Sequence, residues 1–221
     1  GLKENKLQKP RKLKLKYTAD VDARQERQVR ELVDYTQQLL RYCEYERTNN
    51  FWKKLPPKNP ADWPAQCDPH RKRMWEEVIG KFPPATMPIN PSSRKILETD
   101  KWTGYDVVLD TWPDVFAWGI LLLPKDIKTG EKRPVVVCQH GLEGVPMDTV
   151  TRDPKGAFRY YSGFAADLAE RGCVVFSPHN PYRGRDLFRV LQRKANPLGK
   201  SLFSVIVGQH DRIIDWLETL P

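Results

Sequence analysis

The sequence predicts an α/β fold in which an antiparallel hairpin leads into parallel strands joined by crossover helices. Two short apolar runs, at 135–138 and 173–176, are rich in β-branched residues and are typical of strands buried on both faces. Apolar residues at 156–172 and 201–220 recur at helical spacing and predict two helices. The inward face of the first includes Tyr161, and the apolar side of the second includes His210 as a core histidine. Strands that alternate with helices form parallel sheets through right-handed crossovers. Before this pattern, residues 21–95 show helical segments and predict an N-terminal helical extension.

The chain is predicted to have three parts: a basic arm at 1–20, the helical extension at 21–95, and a sheet domain at 96–221. The extension has an amphipathic helix through 22–47 and a second helix that Asp68 and Pro69 are suited to cap. The predicted buried face of that second helix consists of Met74, Trp75, Val78, Ile79 and Phe82. The sheet domain opens with two strands around a turn at Pro113 and Asp114.

Charge and composition exclude several classes of protein. The net charge is +9, but residues 1–17 contain seven basic residues and one acidic residue, so most of the excess lies in the arm. Such an arm either contacts phosphates or anionic surfaces or is a solvated terminus, and no nucleic-acid-binding signature accompanies it. No run is long enough to span a membrane. No signal peptide is visible, which leaves the compartment open, an extracytoplasmic location included.

No motif for a cofactor or a metal is found. The four cysteines are far apart and predict neither a zinc site nor a disulfide framework. The strand-to-helix turns carry neither a dinucleotide-binding glycine motif nor a P-loop. We therefore expect no cofactor and no metal.

Polar residues follow both of the buried strands. The first strand runs into His140, Gly141, Leu142, Glu143 and Gly144, and the second runs into the loop NPYRG at 180–184. Open α/β sheets bind their ligands at the carboxyl ends of the strands. These two loops are therefore the candidate site.

The hairpin, CQHGLEG, LAERG, VVFSP and NPYRG together resemble the first half of an α/β-hydrolase, over roughly residues 100–221. The nearest resemblance is to the acetyl xylan esterase and dienelactone-hydrolase-like carboxylesterases. It implies a serine esterase for small acyl esters, with acetyl groups on carbohydrate as candidates. It assigns the backbone N–H of Leu142 as an oxyanion donor, with Gly141 letting the chain pass close to a substrate.

Four other loop residues are predicted to bind the substrate: His140, Glu143, Tyr182 and Arg183. For His140 the resemblance favours orienting the loop over acting as a general base. Glu143 either lines the pocket or is solvated. Arg183 either ties loops together through several hydrogen bonds or contacts the substrate.

The sequence contains no Gly-x-Ser-x-Gly nucleophile motif. We therefore expect the nucleophile in a C-terminal half of the fold, on the same or a companion chain, and an unpaired apolar sheet edge without it. A related peptidase or dienelactone-type hydrolase also stays open. The alternative from a different class is a non-catalytic module that binds a partner or a polyanion on a hydrolase-like scaffold.

Overall fold

The computed structural model describes residues 20–55 and 59–220. The chain divides into two compact units between Asp68 and Pro69. The predicted basic arm lies outside the described residues, apart from Asp20. The predicted boundaries of the arm, the extension and the sheet domain stay predictions.

The first unit is dominated by one long helix, α1 (Val21–Asn50). It begins at Asp20, whose carboxylate accepts the N–H of Ala23 at 3.0 Å. The helix buries none of its residues, and surface ion pairs such as Arg30–Glu26 at 3.0 Å support it. Within the described ranges, no helix is long and apolar enough to cross a membrane.

The second predicted helix differs from the expectation. Helix α2 (Trp63–Arg73) begins five residues before Asp68 and contains Pro69 in its interior. A π-helical turn, Met74–Ile79, follows, and the N–H of Gly80 donates to the carbonyl of Trp75. The wider i→i+5 spacing breaks the 3.6-residue period. Two members of the predicted buried face, Met74 and Val78, are therefore exposed.

The second unit is built on a five-stranded mixed sheet. Its strands are β1 (Ser92–Glu98), β2 (Trp102–Trp112), β3 (Val115–Pro124), β4 (Val135–Val137) and β5 (Val174–Pro178), in the order β1-β2-β3-β5-β4. Pairing is antiparallel from β1 through β5 and parallel between β5 and β4. This confirms the predicted hairpin and the parallel strands that follow it. The sequence did not predict β1, which is largely polar and exposed.

Helices cover both faces of the sheet. Against one face lie α3 (Pro146–Val150) and α5 (Phe164–Glu170), around buried residues that include Ile120, Leu122 and Val175. Against the other lies α7 (Leu202–Glu218), with Leu109 and Phe176 in its core. Two shorter helices complete the unit, α4 (Phe158–Tyr161) and α6 (Phe188–Ala195).

The single helix predicted for 156–172 is divided. Ser162 and Gly163 both have left-handed backbones, with φ of 53° and 62°. Two successive left-handed residues cannot continue a right-handed helix, so α4 ends and α5 begins with a change of direction. The break places Tyr161 at the end of α4, away from the core contacts that the sequence predicted for it.

Strand β4 lies at the edge of the sheet rather than between two strands. Val135 and Val137 are 44% and 39% exposed, which corrects the prediction that this run is buried on both faces. The Cys138 N–H donates to β5 and the Pro134 carbonyl accepts from it. The N–H and C=O groups of successive strand residues point to opposite sides of the strand, so those of Val135 and Val137 point away from β5. Within the described residues, this leaves an apolar strand edge without a partner.

Trp112, at the end of β2, packs the hairpin against α7. Its ring packs edge-on against Phe82, and its Nε1 donates to the carbonyl of Pro83 at 3.1 Å. The other side of the ring lies on Gly208 of α7, where an added Cβ would be 2.4 Å from Cη2. Only glycine at this position allows the helix to approach so closely.

We predict that Gly208→Ala destabilises the chain although alanine is the better helix former. Overpacking costs about 1–3 kcal/mol and the helix propensity gain is about 1 kcal/mol; because the contact would be as short as 2.4 Å, we expect a net loss toward about 2 kcal/mol. Urea unfolding measures it. Gly156→Ala, whose Cβ would meet its nearest atom at 3.5 Å, serves as the control and should change stability by less than about 0.5 kcal/mol. Equal effects of the two substitutions would contradict this account.

Candidate functional site

The loops that follow β4 and β5 meet at the carboxyl end of the sheet, because the two strands are parallel neighbours. The backbone N–H of Glu143 donates to the carbonyl of Tyr182 at 3.4 Å. The carboxylate of Glu143 accepts the N–H of Gly184 at 2.8 and 2.9 Å. The structure therefore brings together the two loops that the sequence singled out.

His140 is buried, with 1% of its surface exposed, and both of its ring nitrogens have partners. The N–H of Asn180 donates to Nε2 at 3.2 Å, so the ring proton is on Nδ1, which lies 2.9 Å from the carbonyl oxygen of Gly141. Burial lowers the pKa of His140. A Cβ at Gly144 would lie 2.9 Å from Nδ1, so the turn folds over the ring only with glycine there. This geometry favours a loop-orienting histidine over a general base.

A buried polar network extends from this ring to α7. The hydroxyl of Tyr182 donates to the carbonyl of His140 and accepts from Nδ2 of Asn180 at 2.9 Å. Oδ1 of Asn180 in turn accepts from Nε2 of His210 at 2.9 Å. The sequence indicated His210 only as a core histidine and gave Asn180 no role. The members of this network are far apart along the chain, so the sequence does not predict that they meet. The only indication for His210 was its position on the apolar face of α7.

The turn at 141–144 uses nearly all of its backbone donors. The N–H of Gly141 donates to the hydroxyl of Tyr161 at 2.8 Å, that of Glu143 to the β5 loop, and that of Gly144 to the carbonyl of Gly141 at 3.1 Å. Glu143 has a left-handed backbone, with φ of 67°. The N–H of Leu142 has no acceptor within residues 20–55 and 59–220, and Leu142 is 62% exposed. One backbone donor in this turn is therefore available to a ligand.

Two polar atoms beside the turn are buried without a hydrogen-bond partner in the described part of the chain: Nε of Arg183 and Nδ1 of His179. The ring of His179 packs on Trp118 and faces His140, with centroid distances of 5.0 and 5.9 Å. Arg183 is half-buried and forms no ion pair with any residue that the structure describes. Buried polar groups normally have partners, so these two atoms indicate that further polar groups belong here: an acceptor for the Arg183 N–H, and a donor or an acceptor for the His179 nitrogen. The loop-tying hydrogen bonds considered for Arg183 are absent among the described residues.

The cysteine nearest the site is unreactive in this environment. Burial raises the pKa of Cys138 to about 11, with a smaller contribution from Cys173, so the thiol is not ionised near neutral pH. Among the described residues, no three His, Cys, Asp or Glu side chains are placed to hold a metal ion. The chemistry that the site offers is hydrogen bonding from backbone and side-chain donors.

We predict that the stability of the chain falls as the pH is lowered below about 6.5. Burial is the main cause of the lowered pKa values of His140, His179 and His210. The unfolded chain therefore binds protons at pH values where the folded chain does not, and the free energy of unfolding decreases on acidification. The loss is up to about 1.4 kcal/mol per pH unit for each histidine.

Urea unfolding at pH 7.5, 6.5 and 5.5 measures this slope, and His140→Gln provides the comparison. The variant should be less stable at every pH and should show a slope smaller by up to one proton, or up to about 1.4 kcal/mol per pH unit. An identical slope in the variant would show that His140 does not contribute to the acid sensitivity.

No protein-family model and no curated protein matches this sequence. Among solved structures, the chain is similar to a Bacteroides fragilis protein assigned as an acetyl xylan esterase, with 17% sequence identity and a TM-score of 0.58. The match covers 80% of this chain and 50% of that one, so the chain spans half the length of this protein.

Two other structures are similar over shorter stretches, both at 17% identity. The methylesterase BT1017 matches 59% of this chain and 27% of its own, with a TM-score of 0.41. An acetyl xylan esterase from Paenibacillus sp. R4 matches 60% of this chain and 35% of its own, with a TM-score of 0.34. These two scores are too low to support an argument. The Bacteroides structure confirms the predicted α/β fold, a sheet of antiparallel and then parallel strands with helices on both faces.

Proposed function

We propose that the chain forms the N-terminal half of a serine carboxylesterase for small acyl esters, with carbohydrate-linked acetyl esters as the first candidates. The observation that carries the proposal is the Leu142 N–H, which has no acceptor in the described part of the chain, whereas the other donors of its turn are bonded. Ester hydrolysis passes through a tetrahedral oxyanion, which requires donors already aimed at the developing charge. One such donor contributes on the order of 3 kcal/mol of transition-state stabilisation.

The open edge of β4 supports the second part of the proposal. In α/β-hydrolases the nucleophile follows a strand, and its turn stands beside the loop that provides the oxyanion donor. A further parallel strand paired with Val135 and Val137 would cover the exposed valines and bring a serine next to Leu142. We place the nucleophile, the acid and the catalytic histidine of the triad in that remaining half of the fold.

The reaction then proceeds in two stages. The triad histidine takes the proton of the serine as the serine oxygen attacks the ester carbonyl, and the oxyanion accepts the Leu142 N–H. The histidine then gives the proton to the leaving alcohol. The alcohol leaves as the acyl-enzyme forms, and water hydrolyses the acyl group. In this chain, His140, Tyr182 and Glu143 bond to other loop residues, which favours a positioning role over the substrate contacts predicted for them. Arg183, whose Nε has no partner among the residues that the structure describes, remains the substrate-contacting candidate.

Labelling of the complete protein with a fluorophosphonate probe tests the function directly. We expect a covalent adduct on a serine outside residues 1–221, and we expect substitution of that serine by alanine to abolish both labelling and acetyl-ester hydrolysis. Peptide mapping of the adduct identifies the nucleophile. A denatured sample controls for non-specific labelling.

The opposite result points to the alternative function. If the complete, folded protein is neither labelled nor active on acetyl esters, the serine esterase proposal is wrong. The partner- or polyanion-binding module then becomes the leading candidate. Binding to an immobilised polyanion that weakens steeply with added salt would support it.

We also predict that β4 is an inner strand in the complete protein. The amide protons of Val135 and Val137 should exchange as slowly as that of Val136, because a neighbouring strand would accept or cover them. Hydrogen exchange followed by NMR measures the three sites. Fast exchange at Val135 and Val137 with slow exchange at Val136 would show that the edge stays open, and the proposed strand pairing would be wrong.

A further inference from the structure

Tyr161 lies directly beneath the candidate oxyanion turn. Its hydroxyl accepts the backbone N–H of Gly141, one residue before the proposed donor, at 2.8 Å. The left-handed residues Ser162 and Gly163 end α4 at this point and turn the tyrosine toward the β4 loop. The sequence predicted Tyr161 as a core residue of a continuous helix, so this contact was not foreseen.

The hydroxyl of Tyr161 still has a proton to donate. A phenol has one O–H donor in addition to its lone pairs, and here a lone pair is occupied by Gly141. No acceptor for the O–H exists within residues 20–55 and 59–220. The residue is partly exposed, so the proton can reach a group bound at the turn. Because the oxygen already accepts a hydrogen bond, the O–H is polarised and becomes a better donor.

The two unused donors are close enough to meet at one atom. Consecutive backbone nitrogens are at most about 3.7 Å apart. With the 2.8 Å bond from Gly141 to Tyr161, the Leu142 nitrogen and the Tyr161 oxygen are within roughly 6.5 Å of each other. Two donors that bind one oxygen at 2.7–3.1 Å are themselves at most about 6 Å apart, a separation that the bound of roughly 6.5 Å permits. The geometry therefore admits a single oxygen bound by both groups.

We propose that Tyr161 is a catalytic residue that donates its hydroxyl proton, as a hydrogen bond, to the oxyanion held by Leu142; this rests on the proposed esterase function. As the serine attacks, the electron pair of the carbonyl π bond moves onto the oxygen, and Tyr161 stabilises that charge without transferring its proton. The role requires only the phenolic O–H. It is thus a side-chain donor in addition to the backbone donors of the fold.

Tyr161→Phe in the complete enzyme tests this inference, because it removes the hydroxyl and keeps the ring. We expect kcat to fall by about 10²–10³-fold with KM nearly unchanged, since the bond is made in the transition state. Affinity for a trifluoromethyl ketone, which forms a tetrahedral oxyanion adduct, should fall by a similar factor. The matched control is Tyr160→Phe, at a neighbouring tyrosine that is 69% exposed, and it should leave both quantities unchanged.

The outcomes separate this inference from the function on which it rests. An inactive wild-type protein would contradict the esterase function itself. An active wild type with normal kcat in Tyr161→Phe would overturn the role of Tyr161 and leave the esterase function intact. A lower kcat with unchanged affinity for the ketone would also overturn it, because the hydroxyl of Tyr161 would then make no bond to the tetrahedral oxyanion.

Discussion

The buried ring of His140 is the constraint on which the candidate site depends. One nitrogen accepts a backbone N–H from the β5 loop and the other bonds within the β4 loop, so a single side chain holds both loops. Each polar atom buried here would cost about 1–3 kcal/mol if its partner were lost. The position of the His140 ring therefore depends on the positions of Asn180, Tyr182 and His210.

This network holds the turn beside it in a conformation in which the backbone N–H of Leu142 has no acceptor among the described residues. Its bonds and the hydroxyl of Tyr161 restrict the backbone from Gly141 to Gly144 before any ligand binds. A donor held in place in advance needs no reorganisation when charge develops, which is the physical basis of oxyanion stabilisation. Nε of Arg183 and Nδ1 of His179, which have no partner among the described residues, lie in the same region, and the Arg183 N–H adds a second donor there.

The open edge of β4 and the closed network beside it have different consequences. The network is satisfied within the described residues, whereas the edge presents apolar side chains and main-chain groups to solvent. An apolar strand edge invites pairing with another strand. The proposed remaining half of the fold would satisfy that edge and would place its catalytic groups next to a turn that is already organised.

The alternating elements, the hairpin and the positions of the two polar loops could be predicted from the amino acids alone, because apolar periodicity and turn residues act over a few neighbours. Strand β1, whose polar residues lack that pattern, and the break at Ser162 and Gly163 could not. The bond of Tyr161 to Gly141 and the link from Asn180 to His210 were visible only in the folded chain. These contacts join residues 20 and 30 positions apart, and hydrogen bonds between distant segments depend on how the layers pack.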